Sequence, residues 1–178
     1  SSRMAASDRK APLSMPLRVA ILCEYPTLNG GERSMLACMD QLAREDVAVT
    51  FFAPPHGHLA EELQRRSLRH IPFDVHSELH GRRDEAALRL VALLENVDVL
   101  HANSLAMGRW IGSAAHHLTC PSTSHLRDII KLSPAAVADL NRNARLIAVS
   151  HAVREFHVAQ GIDPARVAVV YNGIDASE

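Results

Sequence analysis

Seven short apolar segments, each closed by a polar break and most followed by helical periodicity, constrain this chain more than any other feature. They are LRVAILC (17–23), VAVTFFA (47–53), RHIPFDV (69–75), VDVLHAN (97–103), PSTSHL (121–126), RLIAVS (145–150) and RVAVVY (166–171). In GERSMLACMDQLARE, Met35, Leu36, Met39 and Leu42 recur at helical spacing, as do Ala87, Leu88, Val91 and Leu94 in DEAALRLVALLENV. Near-continuous apolar strands alternating with helices specify parallel neighbours joined by right-handed crossovers. The expected fold class is α/β: a Rossmann-like open, mostly parallel sheet with helices on both faces, spanning 17–175.

A chain of 178 residues, 47% apolar and 22% charged, suits one large globular domain that buries roughly 70% of its unfolded surface. The net charge of −1 speaks against a nucleic-acid footprint. Cys23, Cys38 and Cys120 are odd in number and widely spaced, and Cys23 and Cys38 fall on apolar faces. All three read as reduced core thiols of a cytoplasmic protein. The opening SSRMAASDRKAPLSM lacks the apolar centre of a signal peptide, so 1–16 reads as a disordered leader or an expression remnant. No apolar run approaches the length of a membrane span.

In an open parallel sheet, ligands bind beyond the carboxyl ends of the strands, where the strand order reverses. Most of the unusual polar residues fall there. Gly30 and Gly31 allow a close backbone approach and positive φ, and Asn29 also tolerates the left-handed region. A helix starting at this loop would aim free N–H groups at a phosphate, or the loop is only a tight strand-to-helix turn. Glu32 in the first turn would push an anion toward the loop side. No Gly-Lys-Ser/Thr follows, and the second strand ends in FFAPPHGH with no acidic ribose partner, so neither nucleotide fingerprint is present.

HANSL (101–105) offers His101, Asn103 and Ser104. They are hydrogen-bonding groups for a polyhydroxylated substrate, or a backbone-bonded histidine followed by a helix cap. In STSHLRDIIKLS (122–133), alternation puts His125 and Arg127 on one side and Asp128 on the other. His125 at a strand end is a hydrogen-bond partner for sugar hydroxyls or a proton acceptor; otherwise this is a loop with an Arg–Asp pair. Ser150 sits where a helix cap is expected. The pairs His56/His58 and His116/His117 lack a carboxylate or cysteine at metal-ligand spacing, so no metal is expected.

Read in order, RVAILCEYPTLNGGERSMLACMDQLA, VDVLHANSLAMGRW, PSTSHLRDIIKLS, RLIAVSHAVREFHVAQGI and RVAVVYNGID resemble the N-terminal domain of family-four glycosyltransferases, the large retaining group with the GT-B fold. The final VVYNGID stands where that family passes to its second domain, which makes Asn172 and Gly173 the implied interdomain hinge and 176–178 the start of the linker. The family commonly shows Gly-Gly-Ala-Glu-Arg in its first loop. Here Asn29 replaces the first glycine and Gly31 the alanine, a tolerable variant. The donor-binding C-terminal domain lies outside this sequence.

The resemblance implies transfer of a sugar from a nucleotide-diphosphate sugar to an acceptor hydroxyl, with retention and without a resident cofactor. It serves cell-surface polysaccharide, glycolipid or glycoconjugate synthesis. By the same implication His125 is catalytic and contacts the transferred sugar, and Gly30 and Gly31 are proximal to the donor diphosphate. Asn29, His101, Asn103, Ser104, Arg127, Asp128 and Ser150 form the acceptor and sugar pocket. The implied partners are a nucleotide-sugar donor and a saccharide or lipid-linked acceptor, with the isolated chain inactive. Peripheral contact with the inner membrane face would use the basic amphipathic stretch 58–70. The alternative is a stand-alone sugar- or phosphate-binding module without catalysis; a flavodoxin-like regulatory domain would need an acidic cluster and a lysine at strand ends, which are missing.

Overall fold

The computed structural model describes residues 15–78 and 83–172. The expected leader (through residue 14), Gly173 and the linker lie outside the described residues. In chain order the elements are β1 (Leu17–Leu22), α1 (Gly30–Ala37), α2 (Met39–Arg44), β2 (Val47–Ala53), α3 (His58–Arg65), β3 (Arg69–Pro72), α4 (Val75–Glu78), α5 (Arg83–Leu93), β4 (Val99–Ala102), α6 (Leu105–Ser113), β5 (Ser122–Leu126), α7 (Pro134–Leu140), β6 (Arg145–Ala148), α8 (His151–Ala159) and β7 (Val167–Val169). All seven apolar segments become strands. They form one sheet in the order β3-β2-β1-β4-β5-β6-β7, and every neighbouring pair is parallel.

Period-two alternation decides what each face carries. Ala20, Leu22, Phe52, Leu100 and Ala102 pack against α5 and α6 through Ala86, Leu90, Met107 and Trp110. Leu126, Leu146, Ala148 and Val167 pack against Leu140 of α7 and Val153 of α8. On the opposite face, Ile21, Cys23, Phe51 and Ala53 meet Met35, Leu36, Met39, Leu59 and Leu63 of α1 to α3.

Two expectations are corrected. The single helix after the glycine loop is two, α1 and α2, parted at Cys38. Cys38 is exposed, while Cys23 is buried and Cys120 half-buried. Helices lie on both faces as expected and leave part of one face open. Beside α1 and α2, the face formed by Val99, His101, Thr123, His125 and Ile147 lines an open, largely apolar groove of about 410 Å³. These strand positions carry His and Thr where a covered face would carry aliphatics.

Two contacts fix α6 against its neighbours. A Cβ on Gly108 would fall 1.9 Å from Ser124 Oγ, so only glycine lets the helix lie this close to β5. Buried Asn143 donates through Nδ2 to the Gly108 carbonyl at 2.9 Å, and its Oδ1 accepts from Ser122 Oγ at 2.9 Å. α6 thereby delivers its N-terminus to the crevice beyond β4.

Candidate functional site

The strand order reverses between β1 and β4, which places the crevice of an open α/β sheet beyond Leu22 and Ala102. The ladder continues one residue past each strand. Cys23 N–H donates to the Phe52 carbonyl at 2.8 Å, and Asn103 N–H to the Leu22 carbonyl at 3.0 Å. The next side chains are therefore held in strand geometry and alternate to opposite sides. Asn103 turns toward α1 and Ser104 toward α6.

On the α1 side a chain of polar groups crosses the crevice. Glu32, buried in the first turn of α1, accepts from the Asn29 N–H through Oε2 at 3.1 Å and from Asn103 Nδ2 through Oε1 at 3.3 Å. Asn103 Oδ1 accepts from Arg127 Nη2 at 2.8 Å, and the same Nη2 donates to His125 Nδ1 at 3.4 Å. His125 Nδ1 lies 3.1 Å from His101 Nε2, and His101 Nδ1 lies 2.8 Å from Thr123 Oγ1. Glu32 thus caps a helix and orients an amide, and its carboxylate is folded back from the helix axis.

Donor and acceptor roles along this chain follow from one fact: a guanidinium only donates. His125 Nδ1 must accept from Arg127, so it carries no proton and also accepts from His101 Nε2–H. His101 Nδ1 then accepts from the Thr123 hydroxyl. His125 carries its proton on Nε2, for which no partner occurs among the described residues. Burial lowers His101 to about pKa 4, helped by the Arg127 charge. Burial first, then Arg127 and His101, lower His125 to about 3. Both rings are neutral at pH 7.

Arg127 keeps an unspent donor. Its Nε is buried with no hydrogen-bond partner, and it has no ion pair among the described residues. Burial lowers the guanidinium from its ordinary value, against the opposing pull of Glu32. A Cβ on Gly31 would lie 3.4 Å from that Nε, whereas one on Gly30 would meet nothing within 4 Å. Neither glycine adopts positive φ, and Asn29 has φ −84°. The glycines leave open space over the helix start and form no left-handed turn, which corrects the conformational argument for this loop.

On the α6 side stands a second buried carboxylate, Glu24, one residue past Cys23. Its Oε2 accepts from Ser104 Oγ at 2.9 Å, and Ser104 Oγ also accepts from Met107 N–H at 3.2 Å as the cap of α6. The adjacent Glu24 carboxylate raises the Tyr25 phenol pKa. Composition and spacing did not single out Glu24, because a carboxylate after a strand reads as an ordinary loop residue.

The structure brings together Asn29, Gly31, His101, Asn103, Arg127 and His125, with Ser104 on the far side of the same crevice. His101 is bonded to side chains and not, as one reading had it, to backbone. The remaining two pocket residues make other bonds. Ser150 caps α8, accepting from Val153 N–H at 3.2 Å. Asp128 is exposed, and its carbonyl accepts from His157 Nε2 at 2.8 Å. Asn172 is exposed at the mouth of the open groove.

Along 58–70, Leu59 and Leu63 are buried in the core, while Arg65 and Arg66 pair with Glu62 at 2.6 and 2.7 Å. No described helix is long and apolar enough to cross a membrane. Away from the crevice, the fold supplies the carboxylate that spacing did not reveal for His116 and His117. Asp84 of α5 joins them, with one ligand atom from each residue within 4.8 Å of the others.

The family model described as Glycosyltransferase Family 4 matches residues 28–178, which contain every one of these crevice residues except Glu24 and Tyr25. The chain belongs to that family. Glycosyltransferase Family 4 accounts for the ordered motifs, and the fold agrees. HepE from Anabaena, solved with UDP-glucose, aligns at a TM-score of 0.71 and 20% identity over 89% of this chain and 44% of its own. A glycosyltransferase from Rickettsia africae aligns at 0.74 and 16% over 90% and 44%. WaaB, a lipopolysaccharide outer core galactosyltransferase solved without ligand, aligns at 0.68 and 13% over 88% and 46%. This family-four chain therefore spans less than half the length of each of these three solved proteins. A comparison with curated protein sequences finds no match.

Proposed function

We propose that this chain is the acceptor-side half of a retaining glycosyltransferase that moves a sugar from a nucleotide-diphosphate sugar to an acceptor hydroxyl. The observation that carries the reading is the convergence of Arg127, the open space at Gly30 and the His125 Nε2–H at the switch point of a family-four domain. The free N–H groups of α1 and the unspent Nε of Arg127 form a positive rim suited to the donor diphosphate. HepE, of the same fold, was solved with UDP-glucose and with UDP.

In this reading His125 donates from Nε2 to a hydroxyl of the transferred sugar. It does not take the acceptor proton, because the nitrogen facing the substrate already carries one. That proton passes to the departing phosphate on the same face of the sugar, which retains the anomeric configuration and requires no protein nucleophile. The second domain of the family, with its basic pair, would hold most of the donor, so this chain by itself is inactive. No metal or cofactor is assigned to the step. Closure of the two halves excludes water and brings the reacting groups into line. Three free thiols suit a reducing, cytoplasmic location. The product would enter surface polysaccharide, glycolipid or glycoconjugate synthesis, with a saccharide or lipid-linked acceptor.

The test is a titration of the purified chain with nucleotide-sugars and free nucleotide diphosphates, beside a transfer assay on the protein carrying its second domain. Millimolar or weaker binding to this chain, together with transfer by the two-domain protein, supports the reading. Micromolar, sugar-selective binding by the chain alone, lost in Gly30→Val, makes it a self-sufficient binding module instead.

A further inference from the structure

The crevice has a second polar pole that the donor side does not use. Glu24 is 7% exposed, and His76 of α4 lies near it, with Nε2 3.8 Å from Oε1. An ionised carboxylate offers about four acceptor positions. Ser104 Oγ fills one of them. Beside Glu24 stand two rings, Tyr25 and His76, with centroids 5.6 Å apart and planes 36° from each other. Tyr25 is 45% exposed and the His76 side chain 55%. Asp74 fixes the approach of α4: its Oδ1 accepts from the His76 N–H at 3.1 Å, and its Oδ2 accepts from Ser77 Oγ at 2.7 Å.

We propose that Glu24, Tyr25 and His76 form a saccharide subsite that takes the non-reacting end of the acceptor, with vicinal hydroxyls donating to Glu24 and a sugar face laid on the ring of Tyr25. Naming this sugar as the acceptor rests on the transferase reading; the subsite itself does not. A buried carboxylate with unfilled acceptor positions matches a ligand rich in hydroxyl donors, and an exposed aromatic ring beside it matches the C–H face of a pyranose. An alkyl chain would leave the carboxylate desolvated without a new partner. The location also fits. Ser104 ties Glu24 to α6, while its neighbour Asn103 ties the donor side to α1, so the two subsites are adjacent across one strand end.

The experiment is saturation-transfer NMR on this chain with methyl glucoside, mannoside, galactoside and N-acetylglucosaminide, with ethanolamine and octanol as non-saccharide probes. At least one glycoside is expected to respond. Its affinity should fall about tenfold in Glu24→Gln, the loss expected for hydrogen bonds to a charged group, and several-fold in Tyr25→Ala. Tyr25 is exposed, so the second variant tests the site without disturbing a buried network. No response to any glycoside, equal response in both variants, or a response only to ethanolamine or octanol overturns the proposal. Transfer by the two-domain protein without Glu24-dependent glycoside binding sinks the subsite alone. Glu24-dependent binding with no transfer leaves the subsite standing and sinks the transferase reading.

Discussion

His101 Nε2 and His125 Nδ1 lie 3.1 Å apart, joining the middle of β4 to the end of β5. One ring fixes the proton position of the other. The arrangement makes His125 a donor toward the crevice, and nitrogen-15 shifts of the two imidazoles should show both rings as neutral Nε2–H tautomers at pH 7. Finding His125 protonated on Nδ1 would remove its assigned role. In the two-domain protein, His125→Ala should lower kcat about 100-fold, the usual scale for a lost donor to a reacting substrate.

Thr123 is the far end of that relay. Thr123→Val removes the hydroxyl that His101 Nδ1 accepts, at nearly constant volume, and frees His101 to flip its proton. Expected is a mixed tautomer signal at His125 and a several-fold loss of kcat with little change in donor KM. Thr123→Ser should restore both. If Thr123→Val leaves the shifts and kcat as they were, the relay has no part in positioning.

The same two rings make the fold sensitive to acid. Their folded pKa values, about 4 and about 3, lie below the unfolded value of about 6.5. Between these limits the unfolded chain binds more protons than the folded one, so stability rises with pH. Acidification from about pH 6.5 toward 4 should therefore progressively cost a few kcal/mol. Urea midpoints across that range check this, and the double variant His101→Gln/His125→Gln should flatten the slope.

Gly108 sets how close α6 comes to β5. Gly108→Ala forces a methyl group to 1.9 Å from Ser124 Oγ. The variant should be destabilised by about 3 kcal/mol through overpacking, despite the better helix propensity of alanine. Gly31→Ala has no such backbone obstacle, only the flexible Arg127 side chain at 3.4 Å. It should keep its melting temperature while weakening diphosphate binding. A cooperative melt of Gly108→Ala at the wild-type temperature would remove the packing argument.

The fold was legible because its signal is periodic: seven apolar runs are seven strands, and parallel order follows from the helices between them. The crevice was half legible. His125, Arg127 and Asn103 stand where polar residues at strand ends are informative, and alternation placed the first two on one side. Glu24 and Glu32 were not legible as structural anchors, because their partners, Ser104 and Asn103, lie far along the chain and meet them only through the β1–β4 pairing. The glycine loop misled for a related reason. Glycine signals freedom in φ, but Gly31 does not adopt positive φ, and what marks its position is the Arg127 side chain 3.4 Å from where a Cβ would stand.

Asn103 and Ser104 are consecutive, yet each holds a different carboxylate on a different side of the sheet. Side-chain direction in a strand has a period of two, so slipping β4 by one residue would exchange their assignments and uncouple both poles at once. Insertions and deletions in that strand are therefore closed to drift in a way that changes in the loops are not. A one-residue insertion in β4 should therefore cost both contacts together, whereas a substitution beside the Asn103–Ser104 pair leaves them in phase.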